Sequence, residues 1–165
     1  MTIAVNIEQK LDKEIASFLK IPGTGSKKQE TKNGLTYENF MSDKMLIIRA
    51  IREGVPYSLF DLIRQIAPFS ENDWAEFLDI SGKSLQRYKA VSKTFRSIHS
   101  EKIIEIAEVT KAGVETFGSM EKFKLLVNTP SFALGRMSPR ELLKDSYGKD
   151  LVLGELTRIN HGIFV

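Results

Sequence analysis

Residues 129–165 read TPSFALGRMSPRELLKDSYGKDLVLGELTRINHGIFV, and here the chain spells out its helix starts and stops most explicitly. Thr129 before Pro130 sets a capping residue ahead of a proline at a first helical position, where the missing N–H costs nothing and the fixed φ suits the helix. Gly135 ends that short turn. Ser138-Pro139-Arg140-Glu141 repeats the device as a capping box, in which the Ser138 hydroxyl accepts an N–H near Glu141 and the carboxylate reaches back. From Tyr147 onward Val152, Leu156 and Ile159 fall at helical spacing, and Gly162 is placed to stop the helix. Ile163, Phe164 and Val165 then form an apolar end, where soluble chains more commonly fray.

Composition bounds what such a helical unit can belong to. The chain has 165 residues, 42% of them apolar, enough to bury a core as one compact domain or two small ones. It contains no cysteine, which excludes disulfides, thiolate catalysis and zinc–thiolate sites. No apolar run approaches the roughly 18 residues of a membrane span, and the opening MTIAVNIEQK lacks the layout of a secretory signal. The expectation is a soluble protein of the reducing cytoplasm, without membrane contact. A net charge of +3 and a pI near 9.0 are only mildly basic, so the distribution of charge carries more than its total.

Upstream, Ile7, Leu11, Ile15 and Leu19 recur every fourth residue, with Phe18 beside them, and predict a short amphipathic helix closed by Pro22 and Gly23. The following PGTGSKKQETKNG reads as a flexible linker, and it lacks the spacing of a phosphate-binding loop. Residues 1–41 are thus expected to be an extension. From Ser42 the chain becomes densely helical. Ser42-Asp43-Lys44 opens a helix through Met45, Ile48 and Ile51 that stops at Gly54, and Pro56 starts another carrying Leu59, Leu62, Ile63 and Ile66 inward. A long helix from Ser97 or Ser100 carries Ile103, Ile106, Ala107 and Thr110 to Phe117, with Gly118 as its stop; Phe123, Leu126 and Val127 supply the next apolar face. No alternating strand pattern competes. The predicted fold class is all-α: a helix-turn-helix bundle over residues 42–112, then a small helical domain over 113–165.

The helix-turn-helix lies between residues 70 and 91. Ser70-Glu71-Asn72-Asp73 caps a helix bearing Trp74, Phe77 and Leu78, Asp79-Ile80-Ser81-Gly82 makes a turn, and a second short helix runs from Lys83 to Val91. Acids Glu71, Asp73, Glu76 and Asp79 precede the turn, whereas Lys83, Arg87, Lys89, Lys93 and Arg96 follow it with no acid between them. With Leu85 inward, Lys83, Gln86 and Arg87 point outward and Ser84 stands at the helix start, where a hydroxyl can meet a phosphate or a base edge. Lys83, Ser84, Gln86, Arg87, Lys89 and Lys93 are the candidate DNA-binding residues. A solvated basic face on an ordinary bundle, or a module serving dimerisation, explains the same charges.

Catalysis finds no support. The histidines, His99 and His161, are far apart, and no local motif supplies metal ligands or a nucleophile with its base. No catalytic residue, metal or cofactor is expected. His161, beside the Gly162 stop, suits either a structural cap or a contact with a partner.

Two stretches resemble a known family. Thr129 to Gly135, Ser138-Pro139-Arg140-Glu141-Leu142-Leu143 and the closing Arg158-Ile159-Asn160-His161-Gly162 resemble the toxin-binding domain of Xre/MbcA/ParS-type antitoxins, whose pattern runs W-L-x-T-P-N-x-A-L-G-G, P-x-x-L-L and R-I-x-H-G. Leu126 and Val127 stand for Trp-Leu, Ser131 for Asn and Arg136 for the second Gly. Ile80 to Arg87 resembles the turn and recognition helix of Xre-type repressors, and the likeness extends upstream to about Ser42. The resemblance implies the antitoxin of a type II toxin–antitoxin pair. Its partner would be a NAD-consuming RES-domain toxin, covered by the C-terminal domain and tail, and the operator of its own promoter, bound as a homodimer within a larger complex. The toxin-binding residues would then be Arg158, His161, Gly162, Ile163, Phe164 and Val165, with the apolar tail as anchor and the terminal carboxylate facing a basic group. Two rivals stand beside it: a stand-alone regulator whose C-terminal domain only dimerises, and an interaction protein without DNA binding.

Overall fold

The computed structural model describes residues 2–20 and 34–163; the expected linker at 22–33 and the tail residues Phe164 and Val165 lie outside them. Ten α-helices and one 3-10 turn account for the regular structure among the described residues, an all-α protein as the sequence predicts. The chain forms two compact units, each assembled from two stretches: residues 1–66 with 88–100, and residues 67–87 with 101–165. These units do not coincide with the linear division after residues 41 and 112.

In the first unit, α1 (Thr2–Phe18) begins earlier than the apolar spacing alone predicts and closes before Pro22 is reached. Leu11, Ile15 and Leu19 are buried, and the helix packs against α4 (Tyr57–Ile66), so this extension contributes to a core. The Asp12 carboxylate accepts the Tyr37 N–H at 2.7 Å, at the start of the short α2 (Tyr37–Ser42), a helix the sequence reading assigned to the extension. Asp43 then caps α3 (Lys44–Glu53) by accepting the N–H groups of Met45 and Leu46. The buried face of α3 is Ile47 and Ala50, while Met45 is 71% exposed and Ile48 38%. The stripe expected from Met45, Ile48 and Ile51 is therefore rotated: small Ala50 lets the helix seat closely, and that choice of face is made by tertiary packing.

In α4, Leu59 and Ile63 are buried as expected and Phe60 is buried beside them, whereas Leu62 and Ile66 are half-buried. Phe95 is fixed against this helix: its ring meets Phe60 edge-on at 5.0 Å and stacks on Tyr88 at 4.3 Å. The Phe95 N–H donates to the Val55 carbonyl at 2.8 Å, and the buried Ser100 hydroxyl joins the Val55 N–H to the Phe95 carbonyl. These bonds satisfy loop groups that burial would otherwise leave costly.

The second unit holds α5 (Glu71–Phe77), most of α6 (Gly82–Ala90), and α7 (Ser97–Phe117) from Glu101 onward. α8 (Met120–Val127), the 3-10 turn Phe132–Leu134, α9 (Pro139–Leu142) and α10 (Ser146–Asn160) complete it. Phe69, Trp74 and Phe77 pack edge to face, the arrangement ring quadrupoles favour. Ile103, Ile106, Ala107 and Thr110 are buried along α7 as predicted, and α7 stops at Gly118. One expected start moves: the Thr129 hydroxyl donates back to the Leu125 carbonyl at 2.7 Å, closing α8, and the 3-10 turn takes Ser131 as its cap. The cause is a pairing of Ser131 with Met137, whose carbonyl accepts the Ser131 N–H at 3.1 Å.

Candidate functional site

Two surfaces carry the residues singled out by the sequence. In the first, Ser70 and Asp73 form a capping box at the head of α5, and Leu78 closes the helix. Asp79 takes the left-handed conformation at φ 50°, and Gly82, which the sequence places in the turn, starts α6. Aspartate tolerates that backbone better than most residues. Ser81 caps α6, its hydroxyl accepting the Ser84 N–H at 3.1 Å and its carbonyl the Leu85 N–H at 3.0 Å. Leu85 is buried, as expected, and Lys83, Gln86 and Arg87 are exposed at i, i+3 and i+4, hence on one face. Ser84 is half-buried and its hydroxyl accepts a bond from that of Ser81 at 3.0 Å, which makes it the least available of the six. Lys89 is exposed in the last turn of α6, and Lys93 lies beyond it with its ammonium 5.3 Å from the Tyr88 ring centroid, a cation–π contact.

Two acids of α5, Asp73 and Glu76, have partners of their own. Arg140 donates to Asp73 at 2.8 Å and Lys144 meets Glu76 at 2.8 Å, so successive turns of α5 are bridged to α9 and the residues just after it. Burial pushes the Asp73 carboxyl up, but the Ser70 N–H and the Arg140 guanidinium outweigh it and hold the group below its ordinary value. These two carboxylates are therefore compensated within the unit.

In the second surface, Gly135 and Arg136 are consecutive left-handed residues at φ 66° and 65°. Arg136 is thus an arginine in a conformation that suits glycine. Ser138 and Glu141 form the predicted capping box. Asp145 caps α10 through the Gly148 N–H at 2.8 Å, and Lys149 ties the helix to α7 through Glu108 at 2.9 Å. Burial lowers the Lys149 ammonium, yet its bond to Glu108 outweighs this and raises its pKa above the ordinary lysine value. Val152 and Leu156 are buried, and Ile159 is half-buried.

The far end of α10 closes as a Schellman motif, with the Ile163 N–H on the Arg158 carbonyl and the Gly162 N–H on the Ile159 carbonyl, both at 3.0 Å. His161 is the C-cap, and its Nδ1 lies 2.7 Å from the Thr157 carbonyl. That carbonyl can only accept, so Nδ1 carries the proton and Nε2 is the other ring position. His161 caps the helix, as one of its two sequence readings has it, and its side chain is exposed. Arg158 is half-buried and donates to Glu155 at 3.0 Å, and Ile163 is 56% exposed. Arg158, His161, Gly162 and Ile163 are thus brought to one helix end.

Sequence reasoning passed over the exposed apolar residues of this unit: Leu125, Phe132, Met137, Tyr147 and Leu151. Their signal was a second apolar spacing on α10, Tyr147 to Leu151, beside the buried one. Among the described residues no group of histidines and acids could hold a metal ion, and no helix is long and apolar enough to cross a membrane.

Known families match the segments that carry both surfaces. Residues 46–108 match the model of the antitoxin Xre-like helix-turn-helix domain, and residues 112–162 match that of the antitoxin Xre/MbcA/ParS C-terminal toxin-binding domain. The Antitoxin Xre of Yersinia enterocolitica is 28% identical over 121 residues, covering 72% of this chain and 81% of that protein. The Antitoxin Xre of Photorhabdus laumondii is 26% identical over 114 residues, covering 68% of this chain and 77% of that protein.

Proposed function

We propose that this chain, which matches both the Xre-like helix-turn-helix and the toxin-binding domain of antitoxins, is itself a non-enzymatic antitoxin that neutralises a RES-domain toxin by covering its NAD site and represses its own operon. The functional division proposed is DNA binding within 42–112 and toxin binding within 113–165. The observation that carries the reading is the closed end of α10. There the Schellman turn fixes the direction in which the chain leaves the helix, and it groups Arg158, His161, Gly162 and the exposed Ile163 around that exit. Phe164 and Val165 follow them in sequence and complete the proposed contact. Neutralisation is by occlusion, with no chemistry and no cofactor supplied by the antitoxin.

The other half of the proposal rests on Lys83, Gln86 and Arg87, one solvent-facing side of α6, with Ser84, Lys89 and Lys93 adding contacts. Phosphate neutralisation by these cations gives affinity that falls steeply with salt. As a homodimer the protein would place two copies of α6 in successive major grooves about 34–36 Å apart. The deciding experiment is growth of bacteria expressing the adjacent operon gene with either the full chain or a chain ending at His161. Rescue by the full chain alone supports occlusion by the tail. Rescue by both moves neutralisation to the body of the domain, and rescue by neither removes this toxin as the partner in favour of a stand-alone regulator.

A further inference from the structure

α10 is apolar on two sides, and only one of them is used by the fold. Gly148, Val152 and Leu156 form the buried stripe. Tyr147, Leu151, Gly154 and Arg158 follow one another at i, i+4, i+7 and i+11, which places them within an arc of about 60° on another side of the helix. Tyr147 is 87% exposed and Leu151 57%. A single exposed apolar side chain needs no explanation, but two on successive turns of one stripe form a patch.

Gly154 supplies an independent observation. A glycine inside a helix is less favourable than alanine by about 1 kcal/mol. Gly148 has an intrachain reason, since a Cβ there would lie 1.8 Å from the Leu142 carbonyl oxygen. Gly154 has none: it is exposed, no atom lies within 4 Å of where its Cβ would sit, and its φ is not left-handed. Its missing side chain serves neither packing nor backbone geometry within this chain. It leaves a flat step between Leu151 and Arg158 onto which another backbone can close.

We infer that Tyr147, Leu151, Gly154 and Arg158 are a docking stripe for the toxin, with the two apolar side chains as anchors, Gly154 as the point of closest approach and Arg158 as the donor at its end. The occupant is the toxin because the whole stripe lies within the segment matching a toxin-binding domain and runs continuously into the proposed exit at His161 and Ile163. The surface it fits is an apolar groove ending in hydrogen-bond acceptors, since the Arg158 guanidinium has five donors and Glu155 engages one nitrogen. This inference rests on the toxin-binding reading above. It differs from the tail model in placing the anchoring contacts on the body of α10.

The test measures binding of the adjacent-gene toxin, separated from its complex by denaturation and refolding, to the full antitoxin and its variants. Tyr147→Ala and Leu151→Ala should each weaken binding by at least about tenfold, as anchor residues do. Gly154→Leu should weaken it as strongly while leaving helix content and melting temperature at or above those of the parent, which separates docking from folding. Asp150→Ala, off the stripe, should stay within about twofold. Unchanged toxin affinity in Tyr147→Ala, Leu151→Ala and Gly154→Leu overturns the stripe and leaves the tail model standing. Loss of self-association with toxin affinity intact also overturns it, by assigning the stripe to a second copy. If the parent chain itself does not bind this toxin, the functional reading fails and the stripe with it.

Discussion

Alanine substitution at Gly148 and at Gly154, two glycines of one helix, should have opposite effects. A methyl group at Gly148 would lie 1.8 Å from the Leu142 carbonyl oxygen and 2.6 Å from its carbonyl carbon, where ordinary contact begins near 3.4 Å. The end of α9 would have to retreat by about 1.6 Å, and the obstacle is backbone that no rotamer change can move aside. Overpacking of this kind costs about 3 kcal/mol, at the upper end of its usual range, and alanine returns about 1 kcal/mol in helix propensity. The net loss is about 2 kcal/mol, or about 4–8 °C in melting temperature for a protein of this size. At Gly154 the same methyl group meets nothing within 4 Å, so only the propensity acts and the protein should gain about 1 kcal/mol. Thermal denaturation followed by far-ultraviolet circular dichroism reads both. A Gly148→Ala protein melting at or above the parent would refute the close approach of α9 and α10, and with it the stated reason for that glycine.

Arg136→Gly should raise stability by about 0.5–1 kcal/mol, because relief of the left-handed strain of a non-glycine exceeds the added freedom of the unfolded chain; chemical denaturation measures it. Asp73, whose carboxyl is held below its ordinary value once Ser70 and Arg140 outweigh burial, contributes stability present above the ordinary carboxylate range and lost as pH falls through the lowered value. Arg140→Ala should therefore lower stability by about 1 kcal/mol near neutrality and flatten the acid limb of a melting-temperature profile; an unchanged acid limb would remove the ion pair as its cause. Arg87→Ala should weaken operator binding and reduce its salt slope by about one while leaving toxin neutralisation intact, as gel shift and growth assays would show. Restored toxicity with intact repression would contradict that assignment.

What the sequence made legible was local. The boxes at Ser70 and Ser138 involve bonds spanning three residues, and the observed caps stand where the residue types put them. The outward set Lys83, Gln86 and Arg87 followed from placing Leu85 inward, a choice helical periodicity makes without knowledge of neighbours. Thr129 was misplaced because the Ser131–Met137 pairing, which no periodicity announces, carried the start onward. In α3 the stripe Met45, Ile48, Ile51 is more apolar than Ile47 with Ala50, and only contact with the rest of the first unit decides between them. Arg140 and Asp73 are separated by 67 residues, so neither charge pattern predicted their bridge. Tyr147 and Leu151 were passed over for a similar reason, since apolar spacing reports which residues prefer burial and not which stripe the fold covers.

Each compact unit is woven from two separate stretches of chain, and this limits how the protein can be taken apart. Residues 67–87 complete their unit only with residues 101–165, and residues 1–66 complete theirs only with 88–100. Any single scission of the backbone that keeps one unit whole therefore carries a piece of the other unit along with it. A fragment ending at Ala112 would carry α5 away from the Arg140 and Lys144 that compensate its acids, leaving Asp73 and Glu76 unpaired on the scaffold that supports α6. A protease that begins at one end of the chain would dismantle parts of both units before finishing either, so partial digestion should yield few stable intermediates.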